Sequence, residues 1–238
     1  MKISVIVPAF NEASCLAQTL ASISATLSVA GCDSEIVVVD NESTDKTPEI
    51  AIAVGARVVS ESEHIIARVR NTGAAQTDGG VLVFIDADTL VPETLFVRIA
   101  EVMKDEKCLG GGVTVEYFPV EQTWIKYYVA LWLFMARLVR TTQGAAQFYR
   151  RSAFKQIKSY DETIFVGEDM EIHTRLKRLA QSSGGRIELI TDPKVTSSAR
   201  KFDKLGMVRT LFFTHPVTMF LAWRTRWVWK YWYEQAIR

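Results

Sequence analysis

Val81-Leu82-Val83-Phe84-Ile85-Asp86-Ala87-Asp88-Thr89 is a run of five apolar residues that ends in two carboxylates separated by one residue. A short, unbroken apolar run reads as a strand buried on both faces, as in the middle of a parallel sheet. In open α/β sheets, ligands collect beyond the carboxyl ends of such strands. Asp86 and Asp88 therefore stand where a chain builds a site. Hard oxygen donors of this kind suit Mg²⁺ or Mn²⁺, above all when the ion also holds substrate phosphates. The tripeptide alone is equally compatible with a strand end, an Asx turn and a helix started by Pro92.

Working outward from this strand, apolar runs and helical periodicities alternate over the first hundred residues. Ile3 to Val7 reads as a strand, and Glu12 to about Ala30 as a helix with Asn11 available as its cap. Glu35 to Val39 is a second strand ending at Asp40. Thr47-Pro48-Glu49 opens a helix, because the missing N–H of proline costs nothing in the first turn. Ala56 to Val59 is a short strand and Ile65 to Gln76 a helix. This order predicts βαβ units and a mostly parallel, Rossmann-like α/β sheet with right-handed crossovers. The pattern changes near Cys108, where Gly110-Gly111-Gly112 leads into Val113 to Tyr117. A long aromatic helix from Gln122 to Arg140 follows. The expected organisation is a domain over 1–204, with a nucleotide-binding half at 1–106 and a more irregular half at 107–204, and an aromatic, basic helical extension at 205–238.

Composition narrows the partners. The 238 residues can bury a sizeable core, and a net charge of +1 gives no reason to expect nucleic acid. Cys15, Cys32 and Cys108 form no close pair and no metal-ligand spacing, which fits a reducing compartment. Met1 to Pro8 is too short for a signal peptide. The longest apolar stretch, Tyr127 to Ala136, is about half a bilayer span. The expected location is cytoplasmic, with peripheral attachment to the inner membrane face as an option. That option rests on 205–238, where four of the six tryptophans fall within ten residues among Arg209, Arg224, Arg226 and Lys230. The same segment suits a helix pair over the core or a contact between subunits, and the oligomeric state stays open.

Three strand ends carry chemically useful residues. They are Pro8-Ala9-Phe10-Asn11-Glu12, Asp40-Asn41-Glu42-Ser43-Thr44-Asp45, and Asp86-Ala87-Asp88. Lying along one sheet edge, they can line one crevice. Asp40 can accept hydrogen bonds from a base edge, and Phe10 can stack on its face. Arg68 and Arg70 sit on the helix that follows, and one such guanidinium can match a phosphate.

These segments, together with Arg70-Asn71-Thr72-Gly73, Gly144 to Phe154 and Phe165-Val166-Gly167-Glu168-Asp169-Met170-Glu171, resemble the inverting family 2 glycosyltransferases of the GT-A fold. The resemblance runs from Lys2 to about Ala199, with the motifs in family order. It implies that Pro8, Phe10 and Glu12 border the donor nucleotide and that Asp40 reads the base, most often uracil. Arg70 would face the pyrophosphate, and Arg200 or Lys201 would close over it. Asp88 would bind Mg²⁺ or Mn²⁺, with Asp86 shared between ribose and metal and His215 as a further ligand. Gly144, Gln147 and Glu168 would shape the acceptor and sugar pocket, and Asp169 would be the general base. The implied activity is transfer of one sugar from a nucleotide-sugar donor to a saccharide or lipid-linked acceptor of the cell envelope. Glu42 stands where the family often has glycine. The Gln-x-x-Arg-Trp motif of processive synthases is absent, since Trp223-Arg224-Thr225-Arg226-Trp227 supplies only its last two residues. A sugar nucleotidyltransferase, or a non-catalytic membrane-associated module that binds nucleotide sugars, would share the sheet.

Overall fold

In the computed structural model, Val81–Ile85 forms a strand (β4) with all five residues buried. The structure describes residues 1–120, 122–138, 144–200, 207, 210–212, 223–225 and 229. Lys201, His215 and most of the 205–238 extension lie outside the described residues, as does the end of the predicted 122–140 helix.

Strand β4 is the seam of the molecule. On one side it pairs in parallel with β1 (Lys2–Ala9), which pairs in parallel with β2 (Asp33–Asp40), which in turn pairs with β3 (Arg57–Ser60). On its other side it pairs antiparallel with β7 (Ala146–Arg150). Beyond β7 come β6 (Cys108–Phe118), β8 (Arg186–Ser198) and the two-residue β5 (Thr89–Leu90), so the order is β3-β2-β1-β4-β7-β6-β8-β5. The sheet is parallel in its nucleotide-binding half and mixed beyond it. Its apolar runs are strands because both faces are covered.

The covering follows the period of two. Ile3, Val5, Val7, Val81, Val83 and Ile85 pack beneath α1 (Leu16–Ala30) and α4 (Leu95–Met103), through Leu20, Ile23, Phe96 and Ile99. The alternate residues Ile6, Val37, Val39, Leu82 and Phe84 face α3 (Ile66–Ala75) and α7 (Glu168–Ser183), through Val69, Ala74, Ile172 and Leu176. Gly73 lets α3 approach closely: a Cβ there would meet Ile6 Cγ2 at 2.4 Å and Val39 Cγ2 at 2.8 Å. That approach seats Arg70, one turn earlier, inside the molecule. Three further helices, α2 (Thr47–Ala53), α5 (Thr123–Leu138) and α6 (Arg151–Gln156), complete the described elements.

Two local expectations are corrected. The first helix begins at Leu16 rather than Glu12, and Asn11 is not its cap. Asn11 takes a left-handed backbone (φ 52°), and its Oδ1 accepts the Thr44 N–H at 2.8 Å, tying the β1 loop to the β2 loop. Pro92 does not start α4 directly; its carbonyl accepts the Leu95 N–H, and the helix begins there. Among the described residues no helix is long and apolar enough to cross a membrane.

Candidate active site

The parallel strands β1, β2 and β4 end side by side, because Ala9 pairs with Asp40 and Ile6 with Phe84. This register brings three of the predicted segments to one edge. At the β2 end, Asp40 is buried, and both of its carboxylate oxygens accept the Ser43 N–H at 3.3 Å. Asn41 donates to the carbonyls of Glu61 and Glu63, pinning the segment that carries His64. The His64 ring meets Phe10 edge to face at 5.7 Å, while its Nδ1 lies 3.1 Å from Asn41 Oδ1. Phe10 is half-buried just past the end of β1, and Pro8 lies buried one residue inside that strand. Glu42 adopts φ 62°, the left-handed region that favours glycine. The motif's common glycine thus has a backbone reason, and Glu42 takes the strained conformation while its carboxylate faces His64 Nε2 at 3.4 Å.

At the β4 end, Asp86 and Asp88 are both part-exposed. Asp88 Oδ1 lies 3.4 Å from Ser197 Oγ on β8, and its carbonyl accepts the Ser198 N–H. Its Oδ2 is 3.9 Å from Arg200 Nε. The Arg200 guanidinium also pairs with Glu12, so Arg200 joins the β1 loop to the β8 end beside the aspartates. Burial pushes the Glu12 carboxyl up to about 7 against the pull of Arg200, and the charges of Asp88 and Asp86 push in the same direction. Among the described residues no group of three or more His, Cys, Asp or Glu side chains is placed to hold a metal alone. Crowded carboxylates without a complete cage fit a Mg²⁺ or Mn²⁺ ion that also takes oxygens from a bound diphosphate.

Arg70, expected at the donor pyrophosphate, is held inside the protein by two carboxylates. It is only 3 % exposed and bridges two elements, with Nη2 3.0 Å from Asp86 Oδ1 and Nη1 2.5 Å from Glu168 Oε1. It ties Asp86, just past β4, to the first turn of α7. Asp169, the next residue of that turn, is partly exposed and closely surrounded by protein. Burial pushes its carboxyl up to about 7, Glu168 adds to the rise, and Arg70 opposes it. Its Oδ1 accepts the Met170 N–H at 2.8 Å, and a Cβ on Gly144 would come within 3.0 Å of its Oδ2. Gly144 therefore abuts the carboxylate of Asp169. Gln147 is buried at 1 % exposure, and its amide oxygen accepts from Tyr149 and Tyr160, neither of which the motifs single out for a role.

The family model for glycosyl transferase family 2 matches residues 4–158, more than half of the chain. The chain belongs to this family. A curated relative, glucosyl-3-phosphoglycerate synthase of Mycobacterium tuberculosis, is 40 % identical over 103 residues, which cover 40 % of this chain and 31 % of that protein. Dolichol-phosphate mannosyltransferase of Pyrococcus furiosus is 31 % identical over 120 residues, covering 47 % of this chain and 33 % of that one. The chain thus spans about a third of the length of these curated relatives. Among solved structures, the M. tuberculosis synthase in complex with Mn²⁺ and uridine-diphosphate-glucose superposes with a TM-score of 0.60 at 26 % identity, covering 88 % of this chain and 75 % of that chain. The sheet described above, with its flanking helices, is the GT-A fold of the family.

Proposed function

We propose that this member of glycosyl transferase family 2 moves a single sugar from a UDP-linked donor to an acceptor hydroxyl, with inversion at the anomeric carbon. The observation that carries this reading is the Asp169 carboxylate, which is raised to about 7 and set across Arg70 from the strand-end aspartates. A base poised near neutral pH suits removal of a hydroxyl proton. As the acceptor O–H loses its proton to Asp169, the oxygen bonds to the anomeric carbon. The bond from that carbon to the diphosphate oxygen breaks, and the electron pair leaves with the nucleoside diphosphate. Asp40 would accept from the base edge and Phe10 would stack on it. Asp88, with Asp86, would hold the Mg²⁺ or Mn²⁺ that neutralises the departing diphosphate. Arg200 lies beside Asp88 and can move to the donor phosphates, with Lys201 next to it in sequence. Pro8 and Glu12 border the nucleotide, and Gly144 and Glu168 border the sugar.

Support for the donor comes from the related synthase, which binds UDP-glucose and Mn²⁺. A lipid-linked acceptor is favoured by one face of α5, where Tyr127, Leu131 and Phe134 follow at helical spacing and are 75 %, 60 % and 64 % exposed. The same face favours peripheral membrane contact, to which the basic, tryptophan-rich 205–238 segment would add. A second reading, a small phosphorylated acid as acceptor, is favoured by the 40 % identity to glucosyl-3-phosphoglycerate synthase.

The test is product analysis with UDP-glucose, Mn²⁺ and either a polyprenyl-linked saccharide with free hydroxyls or 3-phosphoglycerate. The expected result is UDP release with one sugar added to one acceptor, and an inverted anomeric proton coupling by NMR. A ladder of products would overturn single transfer, and a retained anomer would overturn direct displacement. Pyrophosphate released from a nucleoside triphosphate and a sugar phosphate would identify a nucleotidyltransferase instead.

A further inference from the structure

We propose that Gln147, Tyr149 and Tyr160 form a buried clamp that positions Asp169, an inference that rests on reading Asp169 as the base. Gln147 Nε2 donates to the carbonyl oxygen of Asp169 at 3.4 Å. Its Oε1 accepts two phenols, Tyr160 at 2.8 Å and Tyr149 at 3.0 Å. This pattern fixes the amide's orientation: a backbone carbonyl only accepts, so the nitrogen must face Asp169 while the oxygen takes both hydroxyls. All three side chains are at most 2 % exposed. Burial raises both phenols further above their ordinary range, which keeps them neutral donors.

The clamp is anchored at its far end. Asn71 on α3 donates to the Tyr160 carbonyl at 2.9 Å, and its Oδ1 accepts the Tyr160 N–H at 3.0 Å. The Tyr160 ring lies 5.5 Å from the Arg70 guanidinium carbon, and that guanidinium reaches Glu168 beside Asp169. Tyr160 also packs edge to face on Phe84 at 5.2 Å, directly behind the β4 aspartates. A connected path of polar contacts therefore runs from α3 through Tyr160 and Gln147 to the backbone of Asp169. Burying three polar side chains within an apolar cluster costs free energy unless each is satisfied, and a satisfied network of this kind holds one geometry. Apolar residues would fill the same space; what they could not do is hold the Asp169 carbonyl. Displacing a reacting group by a fraction of an ångström lowers the rate steeply, so the clamp acts on turnover rather than on donor binding.

The experiment measures UDP release from UDP-glucose with Mn²⁺ for the wild type, Tyr160→Phe, Tyr149→Phe, Gln147→Met and Asp169→Asn. Tyr160→Phe keeps the ring over Arg70 and loses only the hydroxyl. Gln147→Met matches the length of glutamine and removes the donor to Asp169 without adding a charge. Each is expected to lower kcat about tenfold or more while KM for UDP-glucose stays within about twofold. Tyr149→Phe, which leaves the Arg70 contact untouched, guards against a folding effect specific to Tyr160 and should lower kcat in the same direction. A kcat within twofold of wild type for Tyr160→Phe and Gln147→Met, with Asp169→Asn inactive, would overturn the clamp and leave the base assignment standing. Losses spread equally over kcat and KM would mark a merely structural role and also overturn it. Full activity of Asp169→Asn, or no UDP release by the wild type, would remove the reading on which the clamp rests, and the clamp with it.

Discussion

Asp169→Asn is expected to lower sugar transfer by about 10²- to 10⁴-fold, the usual contribution of a positioned general base, while donor binding is unchanged. Asparagine matches the shape of aspartate, can still accept the Met170 N–H and fits against Gly144, so the loss reports the missing base rather than a collapsed site. The same carboxyl sets the acid limb of the pH profile. With its pKa raised to about 7, log kcat/KM should climb by about one per pH unit below 7 and level off above it. The sign for stability is opposite. Asp169 and Glu12 hold their protons more tightly in the folded chain than in the unfolded one. Their contribution is therefore fully present below the ordinary carboxylate range and is lost as pH rises to about 7. Activity and stability should move in opposite directions across that window, as measured by initial rates and by denaturant unfolding. An acid limb that survives in Asp169→Asn would assign the limb to another group.

Arg70→Met should cost about 3 kcal/mol or more of stability, because it strips the counter-charge from buried Glu168 and from Asp86 together. For a chain of this size such a loss lowers Tm by about 10 °C. Arg70→Lys keeps one charge but cannot span both carboxylates in the same fork, so it should recover only part of the loss. Differential scanning calorimetry of the three proteins checks the order. A Tm for Arg70→Met within 2 °C of wild type would mean that the bridge contributes little.

The parts of the fold that could be read in the sequence are those whose signal is local. Val81 to Ile85 could be read because a strand covered on both faces must be apolar throughout. The candidate edge could be read because β1, β2 and β4 each end in chemically useful residues, which the parallel register sets side by side. Strand β8 could not: Arg186-Ile187-Glu188-Leu189-Ile190-Thr191-Asp192-Pro193 alternates weakly, contains proline and pairs with β6 through register shifts, so its pairing depends on β6 and not on its own pattern. Arg70 was expected at the donor pyrophosphate, and its buried position could not be read either. Its burial depends on Gly73 lying against Ile6 and Val39, contacts that no spacing along the helix records. Gln147 was expected in the acceptor pocket; its burial against Tyr149 and Tyr160 depends on elements meeting behind β4, which no local pattern records.

Calorimetric titration of UDP-glucose into the protein, with and without Mn²⁺, tests the central claim most directly. The account predicts binding that Mn²⁺ strengthens about tenfold or more, and that Asp88→Asn reduces to the metal-free level. Absence of binding under both conditions, or binding indifferent to Mn²⁺ and to Asp88, would contradict it.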